Sequence, residues 1–319
     1  MTRFRIVLAS AALTFAASAV HAQAQAPYPS KVIRIITSAP GSNNDWASRL
    51  VGEAIGPALG QRFIVENRGG LAVDVVAKAP PDGYTLLFYG PAAWTQHLFR
   101  ETSVDPLRDL APITMAMSSP IVLVVHPSLP VKNVRELIAL AKARPGELNY
   151  ASGTVGATPF LAGELFKYMA GVNIVRVAYK GTGPSMIGVM SGEAQVMFPG
   201  AGSAWNLIEQ GKLRALGVAS AKPSPLTPGL QPIGLTVKGY ESTSQMAFLA
   251  PAGTPAAIIE RLHQEIVKAI NRPDVKKMLF KGGVETEGTT PKELRDYIEM
   301  DIARIQKMLK ATGFNSKAP

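Results

Sequence analysis

The fold is decided by residues 32–60, which read VIRIITSAPGSNNDWASRLVGEAIGPALG. The first five residues, Val32–Ile36, are mostly apolar and β-branched, and they predict a buried strand. The segment Ala39–Asn44 contains Pro and Gly and predicts a tight connection. Asp45–Leu59 then predicts a helix that ends at Gly60, because glycine is favoured just after a helix. A strand followed by a helix is the repeating unit of an α/β fold.

The same alternation recurs along the chain, so the predicted fold class is α/β with largely parallel sheets. The further predicted strands are 63–67, 84–89, 113–117, 121–126, 149–152, 174–179, 194–198, 214–219 and 247–250. The further predicted helices are 74–79, 134–143, 160–170, one that opens at Pro184, 203–210, 254–271 and 290–311. This order predicts two lobes, with a ligand cleft between them.

The chain is predicted to cross between the lobes twice, near residues 121–126 and near residues 240–250. We expect lobe 1 to comprise residues 23–122 and 248–319, and lobe 2 to comprise residues 123–247.

The N-terminal 22 residues have the order of a secretory signal peptide. Arg3 and Arg5 precede the apolar stretch Ile6–Val20, and Val20-His21-Ala22 matches a small-x-small cleavage pattern. We therefore expect residues 1–22 to be removed near Ala22 and the mature protein to be exported to the periplasm.

Composition narrows the function. The 319 residues include no Cys, which excludes disulfides, thiol nucleophiles and zinc–thiolate sites. The four His residues show no metal-binding spacing, so neither a metal nor a cofactor is expected. The formal net charge of +10 favours anionic partners, but the Lys and Arg residues are scattered, which does not favour nucleic acid. No phosphate-binding loop and no G-x-S-x-G element occurs, so a catalytic site is not predicted; an exported hydrolase is the remaining enzymatic alternative.

Three predicted strand-to-helix connections could bind an anion. They are Pro40–Asp45, Ser152–Pro159 and Lys180–Pro184, and each places Gly or other small residues before a helix. Free N–H groups at a helix N-terminus carry partial positive charge, and small residues let a carboxylate approach them. The alternative is that these residues serve only turn geometry and helix capping.

Aromatic residues near the predicted cleft loops could stack against the apolar body of a ligand. They are Trp46, Tyr89, Trp94, Phe160 and Trp205. The alternative is that they pack between helices and lobes.

From Tyr28 to Gly313 the chain resembles the Bug family, the periplasmic solute-binding proteins of tripartite tricarboxylate transporters. The matching motifs are Ala39-Pro40-Gly41 with Asp45, Val65-Glu66-Asn67-Arg68, Pro81-Asp82-Gly83-Tyr84-Thr85-Leu86-Leu87, Leu148-Asn149-Tyr150-Ala151-Ser152, Leu161-Ala162-Gly163-Glu164-Leu165-Phe166, Tyr179-Lys180-Gly181, Gly211-Lys212-Leu213-Arg214-Ala215-Leu216 and Leu249-Ala250-Pro251-Ala252-Gly253-Thr254-Pro255.

The resemblance implies a two-lobed type II periplasmic-binding-protein fold that closes around a small organic carboxylate. It implies a monomeric receptor that performs no reaction and delivers its ligand to the membrane permease. The family also supplies an alternative role, a ligand-sensing adaptor for a sensor kinase. The ligand-binding residues that it implies are Pro40, Gly41, Ser42, Asn43, Asn44, Asp45, Trp94, Ser152, Gly153, Thr154, Gly156, Ala157, Thr158, Phe160, Lys180, Gly181, Thr182 and Gly200.

Five departures from the family pattern bear on the ligand. Ser42-Asn43-Asn44 stands where relatives carry a Gly-Gly-Gly-Thr-like stretch, and the glycine-rich stretch after Arg68 is shorter. Ala157 and Phe160 replace a Thr and a His, and Pro199-Gly200 replaces an Asp-Asn pair that could hold an ammonium group. These changes, together with Trp94, favour an apolar or aromatic carboxylate over an amino acid.

Overall fold

The computed structural model describes residues 28–312. Its eleven strands are β1 (Ile33–Thr37), β2 (Phe63–Asn67), β3 (Thr85–Tyr89), β4 (Leu110–Pro120), β5 (Val122–Val125), β6 (Asn149–Ser152), β7 (Val175–Ala178), β8 (Val196–Met197), β9 (Arg214–Val218), β10 (Thr243–Pro251) and β11 (Glu285–Thr286).

The helices within the same residues are α1 (Asn43–Leu59), α2 (Ala72–Ala77), α3 (Ala92–Thr95), α4 (Pro106–Asp109), α5 (Val134–Ala143), α6 (Thr158–Ala170), α7 (Thr182–Met190), α8 (Ala201–Glu209), α9 (Ala256–Ile270), α10 (Pro273–Lys281) and α11 (Pro291–Thr312). Three short 3₁₀ segments accompany them at Gly69–Leu71, Gln96–Leu98 and Ile233–Leu235. The predicted α/β class is confirmed.

The deciding stretch folds as its pattern predicts. The Ser42 side chain accepts a hydrogen bond from the Asp45 N–H and caps α1, while Gly60 ends the helix in the left-handed conformation at φ 64°. The apolar residues of β1 alternate between the two faces of its sheet. Ile35 packs in one core cluster with Phe88, and Ile36 packs in the opposite cluster with Leu87. Helices cover both faces.

Two separate sheets form the two lobes. The first has the order β11-β4-β10-β3-β1-β2, and the second has the order β7-β6-β8-β5-β9. In the first sheet β1 pairs in parallel with β2 and β3, and in the second β6 pairs in parallel with β7 and β8. The strands that carry the chain between lobes, β4, β5 and β10, pair antiparallel with their neighbours. The sheets are therefore mixed rather than largely parallel.

The chain crosses from the first sheet to the second at Ile121, between β4 and β5. It returns on β10, which begins at Thr243, within the predicted crossing near residues 240–250, although a strand is predicted there only over 247–250. The predicted strand begins later than β10 because Thr243, Ser244 and Gln245 are polar and give no strand signal. β10 is nonetheless extended there because β4 supplies hydrogen-bonding partners along its whole length. The predicted signal peptide, 1–22, lies outside the described residues.

Candidate functional site

A cleft with a volume of about 330 Å³ lies between the two sheets, within the range of small-molecule sites. Both lobes and both crossing segments line it. The residues from lobe 1 are Ser38, Ala39, Pro40, Gly41, Ser42, Asn43, Asn44, Gly69, Tyr89, Gly90, Pro91 and Ala92. Those from lobe 2 are Gly153, Thr154, Ala157, Thr158, Pro159, Lys180, Gly181, Thr182, Gly183, Pro184, Met186, Gly200 and Ser203, and those from the crossings are Ile121 and Ser244.

The β1–α1 loop places two asparagines at the cleft. Asn43 and Asn44 hold the first two positions of α1, where backbone N–H groups have no acceptor within the helix. Both side chains are half-buried, and the described part of the chain provides no hydrogen-bond partner for either. Two amide side chains and two main-chain N–H groups are therefore available to a ligand oxygen, beside the positive end of the helix dipole.

Asp45 lies behind this loop and does not line the cleft. Its carboxylate accepts hydrogen bonds from the Gly41 N–H at 3.0 Å, from Asn67 Nδ2 at 2.9 Å and from the Arg49 guanidinium at 2.9 and 3.0 Å. Burial by itself would raise the pKa of Asp45, but the bonds from Asn67, Gly41 and Arg49 together lower it. Asp45 thus holds Gly41 in its left-handed conformation, φ 74°, and uses the N–H that a ligand would otherwise reach.

Two glycine-rich loops of lobe 2 face the asparagines. The loop before α6 and the loop before α7 lie backbone against backbone, so a Cβ on Gly153 would come within 2.9 Å of Gly181 Cα. Arg176 supports the first loop from behind, because its guanidinium donates to Ser152 Oγ and to the Gly153 carbonyl, both at 2.8 Å. Close packing brings the N-termini of α6 and α7 to the same cleft.

The cleft has a clear charge preference. Lys180 is the one charged side chain among the described residues that line it, and none of those residues is acidic. No salt bridge to Lys180 occurs within residues 28–312. The helix N-termini and this ammonium group favour an anion, and an ammonium-bearing ligand would find no carboxylate there.

Five of the residues expected at the site lie elsewhere. Trp94 is fully buried in lobe 1, where its Nε1 donates to Asp301 Oδ2 at 2.9 Å. Phe160 is also fully buried, between the Phe99 ring and the Arg176 guanidinium. Neither Trp94 nor Phe160 lines the cleft, and their burial agrees with the alternative that these aromatics pack within the protein.

The other three, Asp45, Ser152 and Gly156, support the loops rather than line the cleft. The Gly156 carbonyl accepts a hydrogen bond from Thr95 Oγ1 at 3.0 Å, which links the two lobes. The remaining expected residues, from Pro40–Asn44 to Gly200, do line the cleft.

Several residues that line the cleft were not predicted from the sequence. Ser38, Gly90 and Pro91 directly follow β1 and β3, so the rule that ligands lie beyond strand carboxyl ends could have found them. Tyr89 was singled out as an aromatic near the cleft and does line it. Ile121 and Ser244 carry no such signal, because their place depends on how the crossing strands run between the lobes.

Within residues 28–312, no group of three or more His, Asp or Glu side chains is placed to hold a metal ion. No helix of that same range is long and apolar enough to cross a membrane.

A two-lobed α/β chain with a ligand-sized cleft between its sheets is a periplasmic-type binding protein by fold. The chain belongs to the tripartite tricarboxylate transporter family receptors (TctC), whose family model matches residues 47–314. It is similar to BugT of Bordetella pertussis, with 31% identity over 91% of this chain and 92% of BugT. It is also similar to the UPF0065 protein of the tcbD-tcbE intergenic region of Pseudomonas sp. strain P51, with 32% identity over 98% and 95% of the two chains. Among solved structures, R. palustris Rpa4515 with adipate superimposes with a TM-score of 0.85 at 32% identity, over 90% of this chain and 98% of that one.

Proposed function

We propose that this protein is a periplasmic receptor that binds a small aliphatic carboxylate and delivers it to the membrane permease of a tripartite tricarboxylate transporter. The observation that carries the proposal is the cleft itself, in which Asn43, Asn44 and Lys180 face a ligand without any acidic side chain beside them. Family membership supports the transport role, since the family is one of transporter receptors.

The carboxylate would bind at the start of α1. There the free N–H groups and side-chain amides of Asn43 and Asn44 can donate to both of its oxygens. Hydrogen bonds to a charged acceptor contribute about 1.5–3 kcal/mol each, more than bonds between neutral groups. Donors of this kind favour a carboxylate over a neutral alcohol or amide of the same size.

The rest of the ligand would meet aliphatic groups. Ile121, Met186 and a set of prolines line the cleft, and Tyr89 is the one aromatic among its described lining residues. The Tyr89 hydroxyl is engaged, because it donates to the Gly69 carbonyl at 2.9 Å. An aliphatic chain suits these walls better than a large aromatic ring does. The structure of Rpa4515 with adipate supports this choice of ligand class.

Isothermal titration calorimetry with adipate, hexanoate, benzoate and glutamate tests the proposal. We expect adipate or hexanoate to bind with the highest affinity, and glutamate to bind weakly because its ammonium group finds no carboxylate. Binding of glutamate alone would contradict the proposal. So would the failure of all four compounds to bind, if in addition no carboxylate is carried through native purification.

A pair of variants locates the carboxylate. Asn43→Ala should weaken binding by about tenfold or more, since it removes a donor to a charged group. Asn206→Ala is the matched control, because Asn206 lies exposed on α8 and does not line the cleft. Equal affinities for the two variants would place the carboxylate elsewhere.

The transport role is tested in cells. Deletion of the gene should abolish uptake of the bound carboxylate. Normal uptake, with loss of carboxylate-induced transcription, would instead favour the sensor-kinase adaptor.

A further inference from the structure

Beside the cleft, the two lobes also touch through three glycines. Gly202, in the first turn of α8 in lobe 2, lies against Gly282 and Gly283, which follow α10 in lobe 1. A Cβ on Gly202 would lie 1.9 Å from the Gly282 carbonyl oxygen and 3.1 Å from Gly283 Cα. Both atoms belong to the main chain, so no side-chain rotation could relieve the overlap.

The turn that opposes Gly202 is held in place from lobe 1. Ser119, near the end of β4, donates through its hydroxyl to the Gly283 carbonyl at 2.7 Å. The Trp46 ring covers Gly282 so closely that a Cβ there would lie 2.1 Å from Trp46 Cη2. The turn therefore has little freedom to retreat from a side chain at position 202.

Within its own lobe, position 202 does not need glycine. It lies in helix α8 with a helical backbone and does not have the positive φ that would favour glycine. Alanine has a higher helix propensity than glycine by about 1 kcal/mol. The three atoms nearest to an alanine methyl group at position 202 all belong to lobe 1, so the contact between the lobes is what requires glycine there.

The contact also lies close to the pivot of the lobes. Gly200, two residues before Gly202, forms a β-bridge with Ile121, where the chain crosses from lobe 1 to lobe 2. Gly200 and Ser203 line the cleft, while Gly202 does not. A side chain added beside the pivot that displaces the lobes there by about an ångström or two opens a wider gap at the far rim of the cleft.

We propose that Gly202 is a positioning residue for ligand capture: the absence of a side chain there allows the lobes to close, and any side chain holds them apart. The inference rests on the proposed function, since closure matters only for a protein that encloses a ligand. A ligand that needs both lobes then binds in proportion to the closed population, so a side chain at position 202 lowers affinity without touching the ligand.

The first test measures the separation of the lobes. The chain has no Cys, so Leu71→Cys and Ile187→Cys introduce two unique labelling sites, one on each lobe. Both residues are 63% exposed and lie near the cleft residues Gly69 and Met186. Double electron–electron resonance between nitroxides on these two sites measures the width of the cleft mouth. The measurement is made without ligand and with adipate at about ten times its Kd.

In this double-labelled protein, Gly202→Ala should shift the distances to longer values. Gly70→Ala is the matched control, because Gly70 has no positive φ and no atom within 4 Å of the added Cβ. Identical distance distributions for Gly202→Ala and its parent, with and without adipate, would overturn the inference.

The second test compares affinity with stability. Gly202→Ala should weaken carboxylate binding by about tenfold or more while the melting temperature of the ligand-free protein stays equal to or above that of the parent. A lower melting temperature with unchanged affinity would mean that Gly202 serves folding alone and would overturn the inference. Failure of the parent protein to bind any carboxylate would reject the proposed function, and the distance measurement without ligand would still decide the role of Gly202.

Discussion

Asp45→Ala separates a residue that shapes the binding loop from one that contacts the ligand. The Asp45 side chain is buried, and its carboxylate accepts from Gly41, Asn67 and Arg49. Removal of the carboxylate leaves the Gly41 N–H and the Asn67 amide without this acceptor. Each bond to the charged carboxylate contributes about 1.5–3 kcal/mol, whereas the half-exposed Arg49 pair contributes about 0–1 kcal/mol. Because water can replace part of these bonds, we expect the free energy of unfolding to fall by about 2–4 kcal/mol.

The same substitution should weaken carboxylate binding. Gly41 would lose the bond that holds its left-handed backbone, and the start of α1 would no longer present Asn43 and Asn44 in one arrangement. We expect a rise in Kd of about tenfold or more, from the loss of a preorganised site. Urea denaturation and calorimetry on the same preparation measure the two effects.

The control is Asp296→Ala, which removes an exposed carboxylate that is paired with Lys292 on α11. This change should alter the free energy of unfolding by less than about 0.5 kcal/mol and leave Kd unchanged. If Asp45 faced the ligand, loss of its negative charge would strengthen anion binding. Tighter binding by Asp45→Ala at unchanged stability would therefore refute the positioning role.

Three further substitutions test other parts of the structure. Trp94→Phe removes the hydrogen bond to buried Asp301 and should lower the free energy of unfolding by about 1–3 kcal/mol in a urea titration, while calorimetry shows an unchanged Kd because Trp94 lies outside the cleft. Hydrogen bonds, chiefly from Arg34, lower the pKa of Glu66 from its ordinary 4.5 to about 2. The stability that this pairing contributes is present above pH 4.5 and is lost as the pH falls toward 2. Glu66→Gln should therefore flatten the dependence of the unfolding free energy on pH between these values. Parallel curves for the variant and the parent protein would contradict this prediction. Lys180→Gln should weaken the binding of adipate more than that of hexanoate if the Lys180 ammonium group contacts a second carboxylate of the ligand. Equal losses of affinity for the two ligands in calorimetry would reject that contact.

The fold was largely predictable because its signals are local. β1, its capped helix α1 and Gly60 follow from apolar periodicity, a polar N-cap and a glycine that accepts a positive φ. The start of β10 was not predictable, since Thr243–Gln245 are polar and become a strand only through pairing with β4. Helix α10, Pro273–Lys281, also went unpredicted, although Pro at its first position, Val275 and Leu279 at helical spacing and Gly282 after its end are local signals for it.

The candidate site divides in the same way. Glycines and small residues before helices located the loops of Pro40–Asn44 and Lys180–Thr182, because free amides at helix N-termini are a property of local sequence. The direction of each side chain is not local. Asp45 is sequence neighbour to Asn44, yet it turns away from the cleft because Asn67, 22 residues further on, supplies a donor behind the loop.

The sequence by itself therefore determined the α/β class, the order of the elements and the small-residue loops that can receive an anion, since all of these depend on interactions between near neighbours in the chain. Only the tertiary structure decided that Trp94 and Phe160 are buried in cores rather than exposed to a ligand. It alone brought Gly202 against Gly283, across 81 residues of chain, on the order of a whole lobe. These outcomes depend on which surfaces remain uncovered once both lobes have packed, and that is a property of the assembled chain.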